Sequence, residues 1–270
     1  MILLRIFTAI TLVSVVPFAM AQGAQEEVDL GGWDFEFTPY FWAAEVEGDM
    51  TLRGRTGDVD ANFSDIWDNL NIGLMGRIEG WRERWGWFVD GLYLDLESDF
   101  TTPGALVSGD VDIDWTILEF GLGYHLIESD GGDGTAAGFD VDLLAGGRYQ
   151  NIKGELDIVT SGPLADVVSG GSFERRGEWV EPLVGGRLRW EWGRNIAFLC
   201  RGDIGGFSVG EASKLTWNIL AGIDYELCET TSVRFGYRIF DMDYSNGSGT
   251  EKFGLDTRFK GPILGLAVRF

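Results

Sequence analysis

The chain has 270 residues, with 43 acidic side chains against 21 basic ones and a formal net charge of −22. Such a surface repels nucleic acid, so a nucleic-acid partner is not expected. Glycine (40), Phe (18), Trp (11) and Tyr (7) are abundant, which suits one all-β domain of many strands, tight turns and aromatic girdles.

In chain order, Met1 to Ala21 reads as a signal peptide. Arg5 supplies the positive end, Ile6 to Met20 is apolar and broken by Pro17, and Ala19-Met20-Ala21 is a small-residue cleavage site. Residues 22–270 then form a single domain. No later window reaches the roughly 18 apolar residues of a spanning helix. Two cysteines, Cys200 and Cys228, fall on opposite strand faces and out of register, so no disulfide is expected.

Period-two alternation, the mark of a strand with two different faces, predicts ten strands, with eight to twelve as the range. The first runs from about Trp33 to Val46, with Trp33, Phe35, Phe37 and Phe41 on one face. Pro39 removes a ladder donor there, so interrupted pairing is expected near it. A polar connection, Glu47 to Asn71, holds a short helix over Ser64 to Leu70, capped by Asn62 or Ser64. Its apolar side, Phe63, Ile66, Trp67 and Leu70, is expected on the barrel rim; the alternative is a constriction folded into the lumen.

Strands two and three, Ile72 to Arg82 and Trp85 to Ser98, flank Glu83-Arg84. Strand three loses phase around Leu94, and strand four (Val111 to Leu126) does so near Trp115, which a β-bulge would explain. Strand five is Phe139 to about Leu156, followed by a long loop from Asp157 to Gly177. Strands six to nine are Trp179–Trp192, Ile196–Val209, Leu215–Leu227 and Thr231–Met242. A loop from Asp243 to Gly254 precedes the closing strand, which ends at Phe270. Long and short connections alternate with both chain ends on the periplasmic side.

Alternation alone fits a soluble barrel as well as a membrane one. Three features favour the membrane: strands longer than the roughly five or six residues on which soluble ones centre, charges of both signs on the polar face, and tryptophans and tyrosines recurring near strand ends. The apolar rows then face lipid and the polar rows face the lumen. The lumen charges are Arg77 with Glu79; Arg148; Arg187 and Arg189 with Glu191; Arg201 with Asp203; and Arg234 and Arg238 with Asp224 and Glu226. Unpaired ions in a narrow lumen are costly, so these are expected to pair and largely plug it.

No nucleophile elbow, zinc motif or phosphate loop is present, and no catalytic residue, cofactor or metal ligand is assigned. The single histidine, His125, reads as an interfacial or turn residue at the periplasmic end. Asp241-Met-Asp243-Tyr-Ser-Asn246-Gly247 only loosely matches a calcium loop, since Lys252 stands where a glutamate is needed, and reads as an acidic outer loop.

The leader, the opening Thr38-Pro-Tyr-Phe-Trp42 and the close Gly261-Pro-Ile-Leu-Gly-Leu-Ala-Val-Arg-Phe270 resemble small Gram-negative outer-membrane β-barrels, OmpW- or OmpA-like in style. The resemblance implies an antiparallel up-and-down transmembrane barrel in the outer membrane, contact with membrane lipid, and recognition of the Phe270 strand by the barrel-assembly machinery. The function expected is a non-enzymatic, porin-like barrel in the cell envelope. It is either a narrow or plugged pore for small polar or ionic solutes, or passive. The alternatives are an adhesin-like barrel binding through acidic outer loops and, more weakly, a hydrolase using carboxylates alone.

Overall fold

The computed structural model describes residues 31–52, 54–101, 107–129, 138–160, 170–193, 195–210 and 212–270. The signal-peptide reading of 1–21 and the Pro103-Gly104 loop lie outside them. The chain divides into Met1–Gly32 and Trp33–Phe270. The second unit is a closed antiparallel sheet built from β1 (Asp34–Trp42), β2 (Glu45–Leu52), β3 (Arg55–Ala61), α1 (Phe63–Asp68), β4 (Leu70–Arg82), β5 (Trp85–Thr101) and β6 (Val107–Ser129). It continues with β7 (Phe139–Thr160), β8 (Gly171–Glu191), β9 (Ile196–Gly206), β10 (Leu215–Cys228), β11 (Thr231–Asn246) and β12 (Phe253–Arg269).

Closure is made by β1, which pairs with β4 on one side and β12 on the other. β2 prolongs β1 along β12 in the same register, from Trp42↔Ile263 to Glu45↔Lys260. Ten strand positions therefore make up the wall, with β3 as an extra edge on β2. The β1–β12 ladder skips Thr38 and Pro39 and resumes at Tyr40↔Gly265 without a register change, as expected of a residue with no backbone donor. Phe35 stacks on Phe270 at 5.9 Å and Arg269 bonds Glu36, so the closing strand is held at both faces.

The outer surface carries Leu74, Leu122, Leu143, Val180, Ile219 and Phe235 among many exposed apolar side chains. A band of that extent suits a hydrocarbon surrounding. No described helix is long and apolar enough to cross a membrane; the strands carry this surface.

Neither β5 at Leu94 nor β6 at Trp115 carries the expected bulge; the irregularity nearest Leu94 lies on β4, between Leu70 and Ile72, opposite Leu96 and Asp95. The β5–β6 ladder runs in one register from Trp85↔Tyr124 to Thr101↔Ser108. What changes is the surroundings. Toward the long-connection end, Leu92, Leu94, Ile113 and Trp115 face inward, and Asp95, Glu97, Asp112 and Asp114 take the outer face. Beyond the apolar band the wall is inverted, like a soluble barrel. The phase break in the sequence is that inversion.

Several predicted loops are extensions of these long strands. β11 runs through Asp243 to Asn246, β7 reaches Thr160, and β8 starts at Gly171. The connection after β1 contains the β2–β3 hairpin, missed because above the band neither face of it is a continuous apolar row. Gly48 (φ +142°) lets β2 lie against the Asp256–Thr257 backbone of β12, where a Cβ would overlap a carbonyl oxygen. α1 starts and ends a little before the expected span and is capped by Asn62, whose Oδ1 accepts from the Ser64 N–H at 2.9 Å. Phe63 and Trp67 pack on Phe41 at the rim.

The inverted outer face sets like charges opposite one another: Asp99↔Asp110 between β5 and β6, and Asp110↔Asp157 between β6 and β7. A hydrogen bond with Asp99, followed by desolvation and the charges of Asp99, Asp157 and Asp112, raises the Asp110 carboxyl above its ordinary range. A raised folded-state value means that the stabilising proton is held at low pH and lost as pH rises through that value. Asp110→Asn is therefore expected to slow hydrogen exchange of the β5–β6 rim amides at neutral pH. The difference from the parent should vanish below about pH 4, where the carboxyl is protonated in both states.

Candidate functional site

The interior has two storeys with different chemistry. At the short-turn half lies a cavity of about 440 Å³ lined by Arg77, Glu79, Asp90, Arg187, Arg189, Arg234 and their neighbours. At the long-connection end lies a larger one, about 580 Å³, lined by Trp42, Met50, Leu94, Ile113, Trp115, Met242, Phe259 and the apolar side of α1. Tyr40 borders the first and Trp42 the second. Two residues of strand, about 7 Å, separate those levels on β1.

The floor between them begins with Arg148, 0% exposed, on β7. Its guanidinium donates to Glu119 and Glu181, at 3.0 Å each, and to Asp203. Arg201 donates to the other oxygen of Glu119 at 2.6 Å, and Arg238 lies 3.5 Å from Glu119. Three guanidinium groups thus face three carboxylates, and the local charge cancels. Thr216 and Trp179 satisfy Glu181, while Asn218 donates to Asp203 and accepts from Arg238. This is the arrangement that makes buried ions tolerable.

An aromatic layer lies directly on the ionic one. Arg148 stands 5.0 Å from the Phe240 ring centre and Arg238 4.9 Å from that of Trp42. Trp115 and Phe259 approach to 4.4 Å, and Trp179 stacks on Tyr244 at 3.7 Å. Trp42, Trp115, Trp179, Phe240 and Tyr244 belong to the larger buried apolar cluster, and Phe259 packs against it. Of these rings, Trp42, Trp115 and Phe259 also line the apolar chamber.

Arg201, Asp203 and Arg238 belong to this floor with Arg148, and the other predicted lumen charges lie around the cavity below it. Arg77 pairs with Glu79 at 2.8 Å, as their spacing suggests. Arg187 instead bridges Glu79 (2.6 Å) and Asp142 (2.7 Å), and Arg189 takes Asp224 at 2.7 Å, leaving Glu191 at 3.7 Å. Arg201 lies 3.3 Å from Asp203. Arg234 holds Glu36 at 2.6 Å and reaches Asp224 at 3.5 Å, and Glu226 is tied at the mouth through backbone bonds with Asn195. Arg238 takes Glu119 and Asn218 rather than Asp224 or Glu226. Sequence reasoning overlooked Glu36, Asp90, Glu119 and Glu181, although each sits on the inward parity of its strand.

His125 differs from expectation. It faces the lumen, with Nδ1 2.5 Å from Asp142 and its ring 4.0 Å from Trp81. Its odd position on β6 turns it inward, opposite to Tyr124. Trp81 in turn lies flat over Gly86 and Gly123, where a Cβ would overlap the indole. Asp241 and Asp243 belong to β11 and are held by Arg258 and Lys214 at 2.8 and 2.9 Å. Both cysteines are free thiols.

No protein-family model and no curated protein matches the chain. Among solved structures it is similar to the outer-membrane protease OmpT of Escherichia coli, at 10% identity and a TM-score of 0.46, covering 88% of this chain and 96% of that one. It is also similar to Ail, the attachment invasion locus protein of Yersinia pestis (13%, 0.32, 88% and 99%), and to OprG of Pseudomonas aeruginosa (14%, 0.30, 88% and 96%). All are outer-membrane proteins. The chain is a closed antiparallel β-barrel with ten strand positions in its wall. The likeness is one of fold, and no OmpW- or OmpA-family match accompanies it. One expectation is corrected here: a protease stands among these neighbours, so the exclusion of enzymatic function does not hold.

Proposed function

We propose that the barrel spans the outer membrane, is closed to bulk flow, and binds a small, largely apolar molecule in the chamber at its outer end. With short turns on the periplasmic side, that chamber faces the exterior. The carrying observation is an apolar cavity of about 580 Å³ standing on a floor whose central Arg148 has no exposed surface. The volume lies within the roughly 300–1,000 Å³ of small-molecule sites. A ligand burying about 250 Å² of apolar surface gains roughly 6 kcal/mol before association costs, enough for selective capture when the walls are already formed.

A plugged barrel was one half of the pore expectation, and the buried ionic layer favours it over a path for polar or ionic solutes. The adhesin-like alternative finds its support in the outward acidic ladder of β5, β6 and β7. Lipid contact along the apolar band, delivery by a signal peptide and recognition of the Phe270 strand by the assembly machinery belong to the same proposal.

The test is a pair of measurements on the purified full-length chain. An apolar fluorescent probe is expected to bind at one site and to quench tryptophan emission. Planar bilayers should show no stepwise current, and neutralising Arg187, Arg189 and Glu191 together should leave that unchanged, since these residues lie below the sealed floor. Steady ion current in the parent, or no saturable probe binding, would refute the reading.

A further inference from the structure

The wall is not zipped along its whole height. β1 and β4 pair from Asp34↔Trp81 to Pro39↔Gly76, and there their ladder ends. β1 goes on beside β12 as far as Trp42, and β4 lies beside β5 back to Leu70. Among the described residues no strand pairs with the other edge of β4 between Leu70 and Met75, and β3 pairs with β2 alone. A continued ladder would set Trp42 against Gly73. Instead the Trp42 backbone N–H donates to the Met75 sulfur at 3.3 Å, a weak acceptor on a flexible side chain. The chain itself crosses this opening, as α1 between β3 and β4, and none of the residues of α1 is buried.

We infer that a hydrocarbon chain of a membrane lipid enters the chamber sideways, through this seam between β1 and β4, with α1 and Met75 as its cover. This rests on the membrane position and the binding chamber proposed above. Both banks of the seam are apolar. Val59 and Ala61 of β3, Ile66 and Trp67 of α1, and Leu70 and Met75 of β4 all line the chamber. Ile72 and Leu74 of β4 are exposed on the outside. Phe41 belongs to both surfaces: it lines the chamber, yet it is 38% exposed and stands in an outward row with Leu264 and Phe235. A lipid chain taking this path stays among apolar side chains, so its methylenes are never exposed to water. Opening the seam parts Trp42 from Met75 and turns Phe63 and Trp67 off Phe41, and it breaks no strand pairing.

Photolabelling of the full chain in phosphatidylcholine vesicles tests this. The probe is a phosphatidylcholine with a diazirine at the end of one acyl chain, and labelled residues are mapped by peptide mass spectrometry. Labels are expected on the chamber residues Ile113, Trp115 and Met242 as well as on the outward Leu143 and Val180. A diazirine placed beside the headgroup should leave the chamber set unlabelled. Met75→Asn offers the Trp42 N–H an amide oxygen, a stronger acceptor than sulfur, and should lower chamber labelling about fivefold with outward labelling unchanged. Leu122→Asn, on the outer face of β6, should lower neither. Trp67→Ala, which thins the cover, serves if Met75→Asn fails to fold, and should raise chamber labelling. Labels confined to outward residues, while the apolar fluorescent probe still binds, overturn the side entry and leave the chamber intact. Chamber labelling that neither Met75→Asn nor Trp67→Ala alters overturns the seam as the path. Chamber labelling without binding of the fluorescent probe supports the seam and overturns capture of a free ligand. If neither is seen, both readings fall.

Discussion

Arg148→Met is expected to destabilise the barrel by about 3–5 kcal/mol, the usual penalty for stranding buried charge. Arg148 is the common partner of Glu119, Glu181 and Asp203, none more than 4% exposed. Methionine roughly fills the volume but supplies no donors, so three carboxylates face one another with only Arg201 and Arg238 to offset them. Repulsion is relieved by protonation or by admitting water, and both loosen the floor. Unfolding in urea followed by heat-modifiable gel mobility measures the loss. Adding Glu181→Gln should recover part of it, because Glu181 is the carboxylate that no other arginine touches. An Arg148→Met protein as stable as the parent would show that the ionic layer contributes nothing to the seal.

Ile113→Asp is expected to weaken probe binding at least a hundredfold, about 2.7 kcal/mol, with little change in folding. Ile113 faces the chamber from β6, opposite Leu96 on β5 and Gly154 on β7. A carboxylate there keeps its water in the open chamber, which is why the fold tolerates it. An apolar ligand must strip that water, and nothing nearby on β6 returns the lost hydration. Asp112→Asn, the adjacent residue on the outer face, is the control and should leave affinity unaltered. Equal loss from both substitutions would mean that the probe sits on the outer surface rather than inside.

How much of this was readable in advance follows from what alternation can encode. Strand parity put Arg77, Arg148, Arg187, Arg201 and Arg238 on the inward face, and that holds because side chains two residues apart share a face whatever the fold around them. Parity says nothing of which partner each charge finds. Arg187 takes Glu79 from 108 positions away, across the lumen, while Glu191 on its own strand is passed over. Glu119 drew no notice between Leu118 and Phe120, yet it receives three arginines.

The amino-acid order by itself determined the strand count, the alternating faces, the closing role of the last strand and the inward set of arginines, since each is a local, period-two property. Only the tertiary structure decided that the wall turns inside out near Leu94 and Trp115, that the polar connection after β1 folds as a hairpin, and that an apolar chamber lies next to a buried ionic layer. The physical reason is that a side chain's preferred direction is set by what surrounds each level of the barrel. Those surroundings come into being only when distant strands have closed around one another.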